Sequence, residues 1–280
     1  MKKLLLAVVA HPDDESFGMG GTLALYANEG VEVHLICATK GEAGEVPPQM
    51  LEGYSSIGAL REHELSCAAG ALGLTKVHYL DYRDSGMAGS QDNDHPRALF
   101  QAPVDEVALK IARLIRDLKP QVVVTFDPIG GYMHPDHIAV HNACVKAFKM
   151  AGDMKVEILN TLPYSPAKLY FHIFPRGLVK YFVKLMPLFG KDPTKFGKNG
   201  DIDLAAIMNQ DFPTHARINY REVAEKREKA SACHASQGGD KQSGYILTWI
   251  IRLLSSNESF MRAVPAPKKG YLEKDLFEDI

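Results

Sequence analysis

The chain has 280 residues, which is long enough for one large α/β domain or for a domain with a smaller C-terminal part. With 46% hydrophobic residues, 24% charged residues and a formal net charge of −2, its composition is ordinary for a globular protein. It has no basic tract and no interleaved aromatic and basic residues, so we expect no nucleic-acid partner.

The sequence begins MKKLLLAVVAHPDDE, in which two lysines and an apolar run resemble the start of a secretory signal peptide. The apolar run is short, however, and titratable side chains follow it where a cleavage region would carry small neutral residues. The pattern therefore favours a buried parallel strand that ends in a polar turn.

Strand and helix patterns alternate through the first 150 residues, as in βαβ units. Strands are predicted at residues 4–10, 31–38, 77–80 and 121–126, and helices at 17–28, 57–72, 104–118 and 136–150. We expect an α/β fold, a Rossmann-like three-layer sandwich with a mostly parallel sheet. Residues 1–158 would form the Rossmann-like core.

The pattern changes from about residue 160. LPYSPAKLYFHIFPRG and ARINY have strand character, and REVAEKREKASACHASQ reads as a charged helix. Residues 159–280 are predicted to complete the sheet and to form the substrate wall, either within the same domain or as a small subdomain.

No stretch reaches the roughly eighteen apolar residues that a membrane span needs. Two late apolar segments, beginning at Gly177 and Tyr245, are interrupted by charged residues and are predicted to be amphipathic helices over a core or a pocket.

The four cysteines are far apart in sequence and form no C-x-x-C pair, so all are expected to be reduced and buried in a cytoplasmic protein. They are Cys37, Cys67, Cys144 and Cys233.

Two titratable motifs, AHPDDE at residues 10–15 and GGYMHPDH at residues 130–137, each follow an apolar strand. In a doubly wound sheet of order 3-2-1-4, the first and fourth strands are neighbours, and ligands bind beyond their carboxyl ends. The motifs should therefore face one crevice. Its side chains would be His11, Asp13, Asp14, His134, Asp136 and His137.

Buried carboxylates and imidazoles placed together need a compensating cation. Two imidazoles and one carboxylate form a recurring catalytic zinc set, which leaves one position open for water. Either motif alone could be a turn whose aspartate caps a helix. Because the motif occurs twice at strand ends, a metal site is favoured.

These motifs carry a family resemblance. AHPDDE and the later HPDH, together with R-E-H-E-L from Arg61, Y-R-D-S-G-M from Tyr82 and H-A-S-Q from His234, resemble the PIG-L/LmbE-like family of metal-dependent N-deacetylases. The resemblance covers most of the first 140 residues and one late element. It implies that His11, Asp14 and His137 bind Zn²⁺, although Fe²⁺ or another divalent metal would also suit this ligand set.

The resemblance also implies the catalytic roles. Asp13 would be the general base, and His134 would stabilise the oxyanion or protonate the leaving amine, with Asp136 keeping it charged. Tyr132 would contact the oxyanion, or be an ordinary aromatic wall.

Three further residues are predicted to bind substrate. Arg61 lies on the inward face of its helix and suits a sugar hydroxyl or an anion, although a structural salt bridge would explain it nearly as well. Asp84 matches a family residue that binds sugar hydroxyls, or is a turn aspartate. His234 either reaches the site or simply ends a helix.

We therefore predict a zinc-dependent amidohydrolase that removes an acetyl group from an N-acetylglucosamine unit of a small glycoconjugate. A thiol S-conjugate amidase of the same family is the first alternative. A metal-dependent phosphoesterase and a non-catalytic sugar- or nucleotide-binding module are alternatives from other classes. The oligomeric state is left open, a homo-oligomer included.

Overall fold

A computed structural model describes residues 2–173, 183, 185–189, 192–195, 203–208, 210–239 and 256–280. The strands are β1 (Leu4–Val9), β2 (Glu32–Cys37), β3 (Lys76–Tyr79), β4 (Val122–Phe126), β5 (Lys168–Ile173), β6 (Ala216–Asn219) and β7 (Asn257–Val264). The helices are α1 (Asp14–Asn28), α2 (Ile57–Leu72), α3 (Val104–Leu118), α4 (Gly130–Met133), α5 (Pro135–Gly152), α6 (Leu204–Met208) and α7 (Ala224–Cys233).

The seven strands form one sheet of order β3-β2-β1-β4-β5-β7-β6. The first five in this order run parallel, and β7 is antiparallel to both β5 and β6. Every residue of β1 and β4 is buried, as expected for central parallel strands covered on both faces. The predicted mostly parallel α/β fold and the central 3-2-1-4 strand order are confirmed.

The later part of the chain joins the same sheet through β5, β6 and β7. The division of the chain into residues 1–158 and residues 159–280 stays a prediction. The predicted amphipathic helix from Tyr245 lies outside the described residues, and most of the one from Gly177 does as well. Within the described ranges, no helix combines the length and apolar character needed to cross a membrane.

Local sequence signals place α2, whose first turn faces the site. The side chain of Ser56 accepts a hydrogen bond from the amide of Ala59 at the N-terminus, and Gly73 ends the helix in the left-handed conformation. The helix starts at the carboxyl edge of the sheet and brings the buried Arg61 there.

The expectation of four reduced cysteines is wrong for two of them. Cys67 in α2 and Cys233 at the end of α7 form a disulfide, whereas Cys37 and Cys144 are free and buried. The bridge joins residues 166 apart in sequence, and only the packing of α2 against α7 brings them together.

Replacing both bridged cysteines, as in C67S/C233S, should lower the free energy of unfolding by roughly 2–5 kcal/mol, because the unfolded chain loses a long-range crosslink. Urea denaturation with and without reductant measures this. The unmodified protein should fall to the level of the variant when reduced, and the variant should not respond. Equal stability of both proteins in every condition would contradict the prediction.

Candidate active site

The pairing of β1 with β4 brings the two predicted motifs together. AHPDDE leads from β1 into α1, and GGYMHPDH leads from β4 through α4 into α5. All six residues predicted for the crevice meet in one buried or half-buried cluster, together with Asp84 and Arg61 from the β3 and α2 side. The cluster lies at the carboxyl ends of the central strands, as the strand order predicted.

Three residues, His11, Asp14 and His137, form a donor triangle in which Asp14 faces each histidine with a different carboxylate oxygen. His11 Nδ1 lies 3.2 Å from His137 Nε2 and 3.5 Å from Asp14 Oδ2, and His137 Nε2 lies 3.1 Å from Asp14 Oδ1. A tetrahedral zinc site with bonds of about 2.0–2.1 Å has ligand atoms roughly 3.3–3.4 Å apart. The residues present therefore fit a divalent metal.

The other ring nitrogens of both histidines are held by acceptors. His137 Nδ1 lies 3.1 Å from the carbonyl oxygen of Gly130, and His11 Nε2 lies 3.2 Å from Asp136 Oδ2 and 3.4 Å from Asp84 Oδ1. Such contacts set the tautomer that leaves the opposite nitrogen free to bind a metal.

The electrostatics of the cluster also suit a cation. Burial lowers the pKa of His11, but Asp84, Asp136 and Asp14 outweigh it and raise the pKa well above its usual value. Burial raises the pKa of Asp14, but His137 and His11 hold it well below the usual range. These two directions show that the cluster favours positive charge at His11 and negative charge at Asp14, and a cation bound between them could supply that positive charge in place of the proton on His11.

Asp13 lies outside the donor triangle and borders the cavity. Its Oδ2 accepts a hydrogen bond of 2.9 Å from Arg61 Nη2. Burial raises the pKa of Asp13 to about 6, against the lowering effect of Arg61. A carboxylate beside the ligands with this pKa is suited to exchange a proton near neutral pH.

Arg61 is committed mainly to the protein. Its guanidinium donates to the carbonyl oxygens of Pro12 and Gly41 as well as to Asp13. Gly41 has φ +69°, and a Cβ there would lie 2.0 Å from Arg61 Nη1, so the close approach requires glycine. The structural salt bridge considered for Arg61 is present, and the residue also borders the cavity.

Asp136 contacts a different histidine from the one expected. Its backbone amide donates to His134 Nδ1, whereas its carboxylate faces His11 and accepts a 2.8 Å hydrogen bond from the amide of Ser85. Burial, with His11 and His137, lowers the pKa of His134 to about 2. These contacts differ from the expectation that Asp136 keeps His134 charged.

Tyr132 and Asp84 both border the cavity. The ring centroid of Tyr132 lies 4.9 Å from that of His137, and burial raises the pKa of its hydroxyl, which keeps it a donor. Asp84 accepts hydrogen bonds from the amides of Gly86 and Ala43. Burial opposes ionisation of Asp84, but His11 outweighs it and lowers the pKa.

His234 is not at the cavity wall. Its side chain is fully buried, and its Nε2 lies 2.7 Å from Glu15 Oε1. This placement differs from the expectation that His234 contacts the substrate directly. Sequence reasoning assigned no role to Glu15, although its position as the third acidic residue of AHPDDE was a usable signal.

The cavity in front of the cluster has a volume of about 1080 Å³. It extends from His11 and Asp13 past residues 43–48 to Ser236 and Gln237. The volume is at the upper end of the range for small-molecule sites, which leaves room for a ligand larger than one sugar ring.

The PIG-L family, described as GlcNAc-PI de-N-acetylase, matches residues 6–148. The chain belongs to this family. The predicted resemblance and the deacetylase class that it implies are confirmed.

Among its relatives, the 1D-myo-inositol 2-acetamido-2-deoxy-alpha-D-glucopyranoside deacetylase of Thermobifida fusca is 37% identical over 98% of both chains. A second enzyme of that name, from Catenulispora acidiphila, is 43% identical over 98% of this chain and 96% of its own. The solved structure of N,N'-diacetylchitobiose deacetylase from Pyrococcus horikoshii has a TM-score of 0.63 at 20% identity and covers 93% of this chain and 83% of its own. Because the sequence identity is 20%, this structural similarity is evidence for the fold of this PIG-L protein.

Zinc affinity should distinguish the roles of the two neighbouring aspartates, Asp13 and Asp14. Asp14→Ala removes a corner of the donor triangle and should weaken zinc binding by more than about 100-fold, beyond the usual effect of residues that only support a ligand. Asp13→Ala leaves the triangle intact and should retain zinc. Zinc titration of the metal-free proteins compares them, and equal losses in both variants would refute the assignment.

Asp136→Ala should weaken zinc binding by about 10–100-fold, because His11 loses the carboxylate that orients its ring. Competition with a chromogenic chelator gives the affinity, and circular dichroism verifies the fold. An unchanged zinc affinity would mean that Asp136 does not act through His11.

Proposed function

We propose that the protein hydrolyses the acetamide of an N-acetylglucosamine unit in a small glycoconjugate, with N-acetylglucosaminyl inositol as the first candidate. The donor triangle of His11, Asp14 and His137, with Asp13 beside it in the wall of a large cavity, carries this proposal. The names of the relatives supply the candidate sugar.

His11, Asp14 and His137 would hold the metal, which we propose to be Zn²⁺. When bound, the cation would supply a Lewis acid that polarises the acetamide carbonyl and acidifies the attacking water. Fe²⁺ or another divalent metal suits the same ligands, and availability would decide between them.

Asp13 would take the proton from the attacking water. Its carboxylate is oriented by Arg61, and its pKa of about 6 leaves it ionised at neutral pH yet basic enough to accept a proton. The same group can then pass that proton on as the amine leaves.

His134 would act as a neutral hydrogen-bond donor. Because its Nδ1 accepts from the amide of Asp136, the ring proton resides on Nε2. From there it can donate to the developing oxyanion or to the leaving nitrogen. Tyr132, protonated in its buried setting, would be a second donor to that oxygen.

Asp84 and Arg61 would meet the sugar. An ionised Asp84 accepts hydrogen bonds from hydroxyl groups, and Arg61 borders the same cavity. The thiol S-conjugate amidase remains the alternative, because it would also hydrolyse an amide and could use the same centre.

A metal-dependent phosphoesterase and a non-catalytic binding module are less well supported, since the relatives are named deacetylases.

We expect the partner to be a small glycoside. We also propose a cytoplasmic location, although the disulfide removes the support that two of the four cysteines had offered.

The zinc-loaded protein should release acetate from N-acetylglucosaminyl inositol, and a chelator should abolish release. Asp13→Ala should lower kcat by about 10²–10⁴-fold, because a positioned proton acceptor contributes that much. Acetate and free amine are quantified for the inositol glycoside and for an N-acetylated thiol S-conjugate, and phenol release is quantified for an aryl phosphate diester. Faster cleavage of the S-conjugate would favour the amidase, and release of acetate that persists after complete metal removal would refute the mechanism.

A further inference from the structure

We propose that His234 and Glu15 form a buried positioning pair that fixes the backbone of Asp13, and with it the direction of the catalytic carboxylate. The inference rests on the proposed deacetylase function. Neither residue borders the cavity, so both would act through Asp13 and not on the substrate.

Asp13 needs such support because of its backbone. It has φ 115° and ψ −31°, a conformation that residues with a Cβ rarely adopt. A residue held in a sparsely populated region costs about 1–3 kcal/mol and persists only where surrounding contacts over-determine it. If Asp13 relaxed to an ordinary conformation, its carboxylate would turn away from its present place beside the metal ligands.

Glu15 supplies the contact to that backbone. Its Oε2 accepts a 3.0 Å hydrogen bond from the amide of Asp13, while its Oε1 accepts from the Ser16 hydroxyl at 2.6 Å. The Glu15 side chain is fully buried. A buried carboxylate with so few neutral donors is costly without a stronger partner.

His234 is that partner. Its Nε2 lies 2.7 Å from Glu15 Oε1, and both side chains are 0% exposed. In the part of the chain that the structure describes, the Nδ1 of His234 has no hydrogen-bond partner. The contact with Glu15 therefore accounts for the presence of a histidine at this buried position. The chain thus brings residues 219 apart together behind the proton acceptor.

The turn that carries His234 is itself anchored to α2. The amide and hydroxyl of Ser236 donate to Glu64 at 2.8 and 2.7 Å, and Cys233 is bridged to Cys67 of the same helix. Helix α2 also carries Arg61, which holds the carboxylate of Asp13. Asp13 is therefore held from two directions, by Arg61 at its side chain and by the Glu15 and His234 pair at its amide.

Two substitutions separate a positioning role from a role in stability. His234→Leu removes the donor, whereas His234→Gln retains a side-chain N–H group at a similar reach from the backbone. Tyr170→Phe is the matched control, because it removes a hydrogen bond to another buried carboxylate, Glu273, near the start of β5 and away from the site. For each zinc-loaded protein, kcat, KM, zinc content and Tm are measured.

We expect His234→Leu to lower kcat by about 10–100-fold, since small misplacements of a catalytic group cost that much. KM should stay within about twofold and zinc content should not change, because neither the substrate contacts nor the ligands are touched. His234→Gln should restore most of kcat, and Tyr170→Phe should lower Tm without lowering kcat. The proposal is overturned if His234→Leu keeps its kcat, or if kcat, zinc content and Tm fall together and His234→Gln restores none of them.

A crystal structure of His234→Leu keeps this test independent of the substrate. The proposal requires Asp13 to leave its positive φ conformation in the variant, and an unchanged Asp13 backbone would overturn it. If the unmodified protein released no acetate from any substrate, the proposed function would fail, and this structural result would still decide whether the pair positions Asp13.

Discussion

The concentration of carboxylates at the carboxyl ends of β1 and β4 is the constraint on which the rest of the site depends. Asp13, Asp14, Asp84 and Asp136 lie there with little or no exposure, and Arg61 is the one permanent cation of that cluster within the described residues. Such a group is stable only if a cation and many hydrogen bonds compensate it. The fit of His11, Asp14 and His137 to a divalent metal answers the first requirement.

The hydrogen bonds meet the second requirement, and they also give each carboxylate different partners. Asp14 faces both histidines of the donor triangle, Asp136 contacts one of them, and Asp13 turns toward Arg61. Similar side chains within one crevice thereby acquire different proton affinities. Burial raises the pKa of Asp13 to about 6, whereas histidine neighbours keep the pKa of Asp14 well below its usual range. This separation suits the proposed division of roles, in which Asp14 binds a metal and Asp13 exchanges a proton.

Residues from the last third of the chain support the site from behind. The disulfide between α2 and α7 and the contacts of Ser236 with Glu64 anchor the turn that carries His234. Helix α2 is the common element, since Arg61 and Glu64 both lie on it. Its position therefore links the late turn to the first loop of the chain, and through that loop to the proposed proton acceptor.

Local patterns in the sequence determined the central strands, the helices between them and the two motifs at the strand ends, because burial on both faces and helical spacing are properties of short segments. The order of the strands followed from general rules for parallel sheets, and so the convergence of His11 and His137 was predictable. Contacts between distant segments were not predictable. The bridge from Cys67 to Cys233, the pairing of Glu15 with His234 and the turn of Asp136 toward His11 each depend on packing between elements that no local pattern encodes. Only the tertiary structure decided them, because a side chain's partner in a buried cluster is set by which atoms lie within hydrogen-bond reach after the elements have packed.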